Sequence, residues 1–255
     1  MSLQLTALDD RIELRGRTGS GAMGEVFRAW DAQLERAVAV KFQLVTDHRE
    51  AERLLLEARL QARVEHPNVI KVHEVGTLQG RVCIVFQLVD GPTLGDLAGE
   101  LPPDERVELL RQAALGLHAA HLQGLVHRDV KPGNVLVEVG PDGKRRALLG
   151  DFGLARADEG GLSRSGVPAG TLDYMSPEQL LGSGPVDFRS DVYGLGATLY
   201  ALLAGRPPFR TSATLDGDDA SGPFRRVLED DAEPLHRAAP GTPRELGLVA
   251  AKAME

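Results

Sequence analysis

The sequence predicts an α+β fold with two lobes, a small β-rich part followed by a larger and mainly helical part. Three observations lead to this prediction. Valine-rich runs at residues 37–42 and 81–89 are typical of strands. The first third holds one helical pattern, at residues 49–64, and helical patterns dominate from about residue 105 onward. We therefore expect a first lobe over residues 1–89 and a second lobe over residues 90–255.

Each predicted element of the first lobe follows from a local pattern. Residues 12–14 alternate apolar and polar side chains and predict a strand that enters a glycine-rich stretch. Residues 25–29 predict the strand that leaves this stretch. Pro67 ends the helix of residues 49–64, and two more strands are expected at residues 69–76 and 81–89.

The second lobe is predicted in the same way. Pro102 and Gly124 bracket a helix over residues 105–123, because proline favours the first helical turn and glycine the position after the last turn. Short strands are expected within residues 127–139 and 147–149, joined by a hairpin at residues 141–143 (PDG). A further helix is predicted over residues 190–203.

Composition limits the possible classes of protein. The chain has a formal net charge of −8 and is 42% hydrophobic, so it can form a sizeable core, and its charge gives no reason to expect nucleic acid or an anionic membrane as partner. The only cysteine, Cys83, lies in an apolar run and is interpreted as a core residue, in keeping with a reducing compartment. No apolar stretch is long enough to span a bilayer and residues 1–10 lack a signal-peptide pattern, so we expect a cytoplasmic location.

The glycine-rich stretch at residues 19–26 (GSGAMGEV) lies between two predicted strands. Glycines let a backbone approach phosphate oxygens and donate N–H groups to them. A strand follows the glycines rather than a helix, which disfavours a dinucleotide-binding fold. Lys41, at the end of the next strand, becomes a candidate phosphate ligand and Glu57 a candidate partner for it; the alternatives are a surface lysine and a solvated helix charge.

Residues 127–134 (HRDVKPGN) carry the most specific signal. Phosphoryl transfer needs an acceptor for the hydroxyl proton, metal ligands, and cations near the transferred group. Asp129, Asn134 and Lys131 can fill these three roles, respectively. The alternative interpretation is a polar turn, but eight matching positions in order make chance agreement improbable. Asp151, in residues 151–153 (DFG), offers the hard oxygen that Mg²⁺ prefers.

These motifs, followed by residues 176–178 (SPE), together resemble the eukaryotic-type protein kinase family, and bacterial serine/threonine kinases in particular. The resemblance covers about residues 12–255. It implies a bilobal protein-kinase-like fold, with the glycine-rich loop, the strand lysine and the αC helix in the N-lobe and the catalytic loop, DFG and activation loop in the C-lobe. It also implies transfer of the γ-phosphoryl group of ATP, with Mg²⁺ or Mn²⁺, to serine or threonine hydroxyls of protein substrates in bacterial signalling.

The resemblance also implies roles for individual residues. Lys41 would contact the α- and β-phosphates and pair with Glu57 when the helix moves in, Phe86 would be the gatekeeper, and His127 would stack on Phe152 in an apolar spine. The implied catalytic residues are Asp129, Lys131, Lys41, Glu57 and Asn134. The implied nucleotide-binding residues are Gly19, Ser20, Gly21, Ala22, Gly24, Val26, Ala39, Lys41, Gln87, Val89, Leu136 and Asp151, and the implied metal ligands are Asn134 and Asp151.

Regulation is the next implication of the resemblance. Lys131 favours serine/threonine over tyrosine as the acceptor, and Thr171 would bond near Asp129 and Lys131. Arg128 implies control by phosphorylation of the activation loop, within a homodimer that phosphorylates in trans. Asp191 would anchor the catalytic-loop backbone. The expected phosphorylation sites are Ser163, Ser165 and Thr171, although the first two can also be read as solvated loop serines.

The sequence departs from the family pattern in three places. Thr18 and Gln61 stand where aliphatic or apolar residues are common, so we expect a looser adenine roof and a weakened active position of the αC helix. The chain ends before the family's D-P-x-x-R segment, so Glu178 is expected to lack its usual arginine partner in a C-lobe that looks truncated. The remaining alternatives are a scaffold without catalysis and a small-molecule phosphotransferase, and residues 170–178 argue against the latter.

Overall fold

The computed structural model of the chain describes residues 6–21, 24–43, 48–152, 172–182, 184, 186–209, 227–228 and 231–255. The first part forms a six-stranded sheet with strand order β1-β5-β6-β4-β3-β2, and the helix α1 lies between β4 and β5 in the chain. The strands are β1 (Thr6–Ala7), β2 (Ile12–Gly21), β3 (Gly24–Asp31), β4 (Arg36–Phe42), β5 (Val72–Leu78) and β6 (Arg81–Gln87), and α1 is His48–Ala62.

Side chains along β4 alternate between the two faces of the sheet, so each face carries a different set of residues. Val38, Val40 and Phe42 are buried in one apolar cluster, whereas Ala39 and Lys41 point to the opposite face. That second face carries a cluster formed with Leu54 and Ala58 of α1. Lys41 is opposite Val26 on β3 and opposite Ile84 on β6, so the sheet holds it at a central strand position.

The second part is mainly helical, with a two-stranded hairpin. The helix α3 packs against both the hairpin strand β8 and the helix α5, around a core that includes Leu109, Leu117 and Leu202. The elements are α2 (Leu94–Leu97), α3 (Pro103–Leu122), β7 (Val135–Val139), β8 (Arg145–Leu149), α4 (Pro177–Leu181), α5 (Phe188–Ala204), α6 (Leu235–Ala238) and α7 (Arg244–Ala253).

The helix α5 has well-defined ends and supports the catalytic loop. The Asp187 carboxylate accepts the N–H of Arg189 and caps its start, and Gly205 ends it with a left-handed φ of 72°. A Cβ at Gly194 would lie 3.0 Å from the Val130 Cβ, so the glycine lets α5 pass close beneath the loop. The first turn of α5 therefore carries Asp191 directly below residues 127–130.

The predicted α+β fold class is confirmed, and the main helices and strands lie close to their expected positions. The short elements β1, α2, α4 and α6 were not predicted. The lobe boundary at residues 89 and 90 remains our proposal, supported by the end of the sheet at Gln87 and the start of α2 at Leu94. Within the part of the chain that the structure describes, no helix has the length and apolar content needed to cross a membrane.

Candidate active site

A cavity of about 320 Å³ lies between the sheet and the second lobe. Val26 and Ala39 line it from the sheet, Leu136 lines it from β7, and the connection after β6 closes its back. Of the predicted nucleotide-binding residues, those that line the cavity are Val26, Ala39, Lys41, Gln87, Val89, Leu136 and Asp151. Gly19, Ser20, Gly21 and Gly24 lie at the β2–β3 end of the sheet, and Ala22 lies outside the described residues.

Several residues of the cavity wall were not in the predicted set. Gly91 is required by close packing, because a Cβ there would lie 2.0 Å from the Val137 carbonyl oxygen. A Cβ at Gly150 would lie 2.4 Å from the Ile70 Cδ1 atom, so the Ile70 side chain occupies the space beside this glycine. The sequence signal that could have identified Gly91 is the Gly91-Pro92 dipeptide after a strand. No comparable signal marks Ile70. Phe86, the expected gatekeeper, lies in the wall, and Thr18 lies there with its hydroxyl donated to the Val26 carbonyl.

The catalytic loop brings three predicted residues together, and one of them, Asn134, lines the cavity. The Lys131 Nζ lies 2.9 Å from the Asp129 Oδ2. The Asn134 amide donates to the same oxygen at 3.0 Å and to the Asp129 carbonyl at 2.7 Å. Asp129 is buried and its carboxylate is thus oriented by its neighbours, so it can accept a proton from a hydroxyl placed beside it.

Asp191 of α5 anchors this loop from below. One carboxylate oxygen accepts the Arg128 N–H at 2.6 Å, and the other accepts the His127 N–H at 2.8 Å and lies 2.7 Å from the His121 Nε2. Arg128 has a left-handed φ of 63°, a conformation that a non-glycine residue keeps only where surrounding contacts hold it. The anchoring role that the resemblance implied for Asp191 agrees with these contacts.

His127 and Phe152 are in contact, as the resemblance implied. Their ring centroids are 4.5 Å apart with an interplanar angle of 41°, and both side chains are fully buried. The His127 Nε2 lies 2.9 Å from the Gly150 carbonyl oxygen. These contacts fix the backbone that precedes Asp151, whose own φ of 52° turns its carboxylate into the cavity.

The expected pairing of Lys41 with Glu57 is not present in this structure. The Lys41 Nζ lies 2.9 Å from the Asp151 Oδ1, and the Glu57 carboxylate lies 3.0 Å from the Arg128 guanidinium. The resemblance implies this pair for the position in which the helix moves in, so the pair stays a prediction; in the conformation described here, α1 brings its glutamate to the catalytic-loop arginine. Charged groups in a half-buried cleft need partners, and with Glu57 engaged elsewhere, Lys41 binds the nearest carboxylate.

Gln61 lies one turn after Glu57 on α1 and is almost fully buried, with 1% of its surface exposed. Its amide nitrogen donates to the Ile70 carbonyl at 3.4 Å, and its amide oxygen has no hydrogen-bond partner within the described ranges. A buried oxygen without a donor destabilises its surroundings. This cost applies to the helix position described here, so the expectation that Gln61 weakens the active position of the helix stays a prediction.

The two carboxyl groups of these ion pairs differ in their electrostatics. Burial raises the pKa of Glu57, and the opposing charges of Arg128 and Arg53 only partly offset this effect. The Asp151 side chain is 47% exposed, and its partial burial also opposes ionisation, but the surrounding positive charges, first that of Lys41, and the Lys41 hydrogen bond together outweigh this effect and lower the pKa of Asp151. Asp151 is therefore ionised at neutral pH and suited to a cation, whereas Glu57 is ionised at a free-energy cost.

Asp151 and Asn134 both line the cavity and are suited to Mg²⁺. The amide nitrogen of Asn134 is donated to Asp129, which leaves the amide oxygen as its metal-binding atom. No group of three or more His, Cys, Asp or Glu side chains with metal-binding geometry occurs among the described residues. Mg²⁺ is held in proteins by one or two carboxylates and completes its shell with substrate phosphates and water, so Asp151 and Asn134 would be its protein ligands.

Other predicted residues can be located only in part. Ser163, Ser165 and Thr171 lie outside the described residues. Glu178, expected to lack an arginine partner, accepts a hydrogen bond from the Ser190 hydroxyl at 2.5 Å. This contact gives the carboxylate a local partner on α5.

Sequence comparisons identify relatives along most of the chain. The family model described as "Protein kinase domain" matches residues 12–234. The chain is 40% identical to the serine/threonine-protein kinase pkn2 of Myxococcus xanthus over 95% of its length, and 36% identical to PknB of Mycobacterium leprae over 97%. It spans only 29% and 40% of the length of these two relatives.

Solved structures agree with this assignment. Two mutants of the Mycobacterium tuberculosis PknI kinase domain each match with a TM-score of 0.66. The first is 27% identical, and its alignment covers 96% of each chain. The second is 28% identical, and its alignment covers 100% of each chain. The resemblance noted in the motifs is thus confirmed by independent comparison. With the family match over most of its length and the expected cavity and catalytic loop, this chain belongs to the protein kinase domain family, and its curated relatives are bacterial serine/threonine kinases.

Proposed function

We propose that this chain is a protein serine/threonine kinase that transfers the γ-phosphoryl group of ATP. The observation that carries the proposal is the placement of Lys41, Asn134 and Asp151 in the wall of a cavity with apolar walls, with Asp129 and Lys131 joined to Asn134 by hydrogen bonds to the Asp129 carboxylate. An apolar slot with a few polar groups at one end suits a nucleotide with its phosphates at that end. The names of the curated relatives support the same activity.

The nucleotide would be held mainly by shape and by the backbone. Val26 and Ala39 would cover one face of the adenine and Leu136 the other, and the backbone of Gln87 and Val89 would bond its edge. Lys41 would move from Asp151 to the α- and β-phosphates. The glycine-rich end of the β2–β3 pair would close over the phosphates through its N–H groups.

The transfer itself depends on position and charge. The oxygen of a serine or threonine hydroxyl attacks the γ-phosphorus, the bond from phosphorus to the bridging oxygen of ADP breaks, and the hydroxyl proton goes to the Asp129 carboxylate. Lys131 lies beside that carboxylate and would stay near the transferred group. Asn134 and Asp151 would hold Mg²⁺ or Mn²⁺, which neutralises phosphate charge when bound.

Substrates, location and assembly are further parts of the proposal. We infer protein substrates with serine or threonine acceptors from Lys131 and from the names of the relatives. A cytoplasmic location is inferred because the reaction consumes ATP. A homodimer is inferred as the species that phosphorylates its own activation loop in trans.

The regulatory proposal starts from the Glu57–Arg128 ion pair. A phosphate on Ser163, Ser165 or Thr171 would compete with Glu57 for the Arg128 guanidinium. Glu57, once released, could pair with Lys41 and draw it away from Asp151. The pairing described here therefore corresponds to a resting arrangement, and loop phosphorylation would favour the transferring one.

The test is incubation of the purified chain with Mg·ATP, followed by intact mass and phosphosite mapping. We expect phosphate on Ser163, Ser165 or Thr171 in the wild type and none in Asp129→Asn, with ATP binding retained. A second candidate function, a nucleotide-binding scaffold, is favoured by the exchanged ion pairs of Lys41 and Glu57. Equal ATP binding by both proteins with no phosphate transferred by either would refute the kinase proposal and support the scaffold.

A further inference from the structure

Three hydrogen bonds hold the two peptide groups on either side of Arg128. The preceding N–H, on Arg128, is bound by Asp191 at 2.6 Å. The N–H of Asp129 donates to the His127 Nδ1 at 3.2 Å. The carbonyl oxygen of Arg128 accepts a hydrogen bond from the Gln179 side-chain nitrogen at 2.8 Å. Gln179 lies on α4, so this third contact comes from a different part of the lobe.

The other end of the Gln179 amide is also fixed. Its oxygen accepts both the N–H and the hydroxyl of Ser176, each at 3.2 Å, and these bonds form a capping box at the start of α4. Ser176 is fully buried. A single planar amide therefore connects the first turn of α4 to the peptide that carries the catalytic aspartate.

We propose that Gln179 is a positioning residue that fixes the orientation of Asp129 through the Arg128 carbonyl. The φ of 63° at Arg128 shows why such a contact matters, since a non-glycine residue leaves this conformation unless its peptide groups are held. Rotation of the peptide would turn the Cα–Cβ bond of Asp129 and move its carboxylate. The α4 segment begins six residues after Thr171. The Gln179 contact therefore couples the seating of this segment to the geometry of Asp129.

This inference rests on the proposed kinase function, and Gln179→Glu tests it. A carboxylate keeps the acceptor for Ser176, as in a Ser-x-x-Glu capping box, but replaces the donor to Arg128 with a second acceptor. We expect kcat for peptide phosphorylation to fall by about tenfold to a hundredfold, with the KM for ATP unchanged.

Gln112→Glu is the matched control. Gln112 on α3 also accepts a backbone N–H, from Ala147 at 2.9 Å, and donates to Glu108 at 3.2 Å, so the same chemical change is made away from the catalytic loop. We expect its kcat to equal that of the wild type. If Gln179→Glu also retains wild-type kcat, Gln179 is only a helix cap and the inference is overturned.

Amide hydrogen exchange gives a second result that does not require turnover. In Gln179→Glu, exchange over residues 127–131 should accelerate while exchange over residues 177–181 stays the same. Unchanged exchange over both segments would overturn the inference. If exchange responds as expected but the wild-type chain transfers no phosphate, the proposed function fails and the structural coupling through Gln179 stands.

Discussion

Asp191→Asn removes charge from a carboxylate that contacts three groups beneath the candidate active site. The two carboxylate oxygens of Asp191 serve the N–H groups of Arg128 and His127 and the ring of His121, at 2.6, 2.8 and 2.7 Å. The residue is 1% exposed, so water cannot replace a lost partner. The substitution puts an NH₂ group where one of the two oxygens now accepts a hydrogen bond.

The size of the effect follows from these contacts. One charge-assisted hydrogen bond is lost, at about 1.5–3 kcal/mol, and a buried N–H is left facing another donor, at about 1–3 kcal/mol more. We therefore expect the free energy of unfolding to fall by about 3–5 kcal/mol, the range found when one member of a buried charged pair is removed. Since Arg128 loses an anchor, we also expect kcat to fall by on the order of a hundredfold.

Urea denaturation followed by far-UV circular dichroism measures the change in stability. The matched control is Asp187→Asn at the start of the same helix. Its exposed carboxylate accepts one N–H at 2.8 Å, and asparagine is an equally good helix cap, so we expect a change below about 0.5 kcal/mol. If Asp191→Asn costs less than about 1 kcal/mol, or no more than the control, the anchoring argument is refuted.

Three further predictions concern charged and thiol groups. Lys41→Met should abolish phosphoryl transfer, which a kinase assay measures. It should lower the free energy of unfolding by less than about 1 kcal/mol at neutral pH, because its partner Asp151 has 47% of its side chain exposed; urea denaturation measures this change. The stability that this pair contributes in the wild type should be present above about pH 3.8 and lost below it, because the folded-state pKa of Asp151 is lowered, and Lys41→Met should lack this loss. Glu57→Gln should prevent activation but leave the Tm unchanged or raised at pH 7. Burial raises the pKa of Glu57, and a neutral amide can still accept a hydrogen bond from Arg128. A clear drop in Tm would contradict this expectation. Burial raises the pKa of Cys83 to about 11, so iodoacetamide at pH 8 should label it only in urea, and labelling of the native protein detected by mass would oppose this expectation.

The sequence was informative where function depends on residues that are close together in the chain. Asp129, Lys131 and Asn134 lie within six positions, and one loop brings them into hydrogen-bond contact in the structure. The strand containing Ala39 and Lys41 was also predictable, because a period of two fixes which side chains share a face. The main helices were predictable as well, because proline and glycine mark their ends.

The partner of each long-range contact was less predictable. The sequence shows that Lys41, Glu57, Arg128 and Asp151 are present, but their pairing depends on how α1 is placed against the catalytic loop. The resemblance suggested the pair of Lys41 with Glu57, whereas the structure pairs each with a different residue. An ion pair forms between whichever charges the backbone brings within a few ångströms, and one small movement of a helix exchanges partners.

The sequence by itself determined the fold class, the family resemblance and the identity of the catalytic-loop residues, because these depend on local periodicity and on motifs in a fixed order. Only the tertiary structure decided the resting ion pairs, the need for Gly91 beside Val137, and the contact of Gln179 with the Arg128 carbonyl. These features join residues 46 to 110 positions apart. No local pattern records such a distance, since it is set by the packing of whole helices and strands.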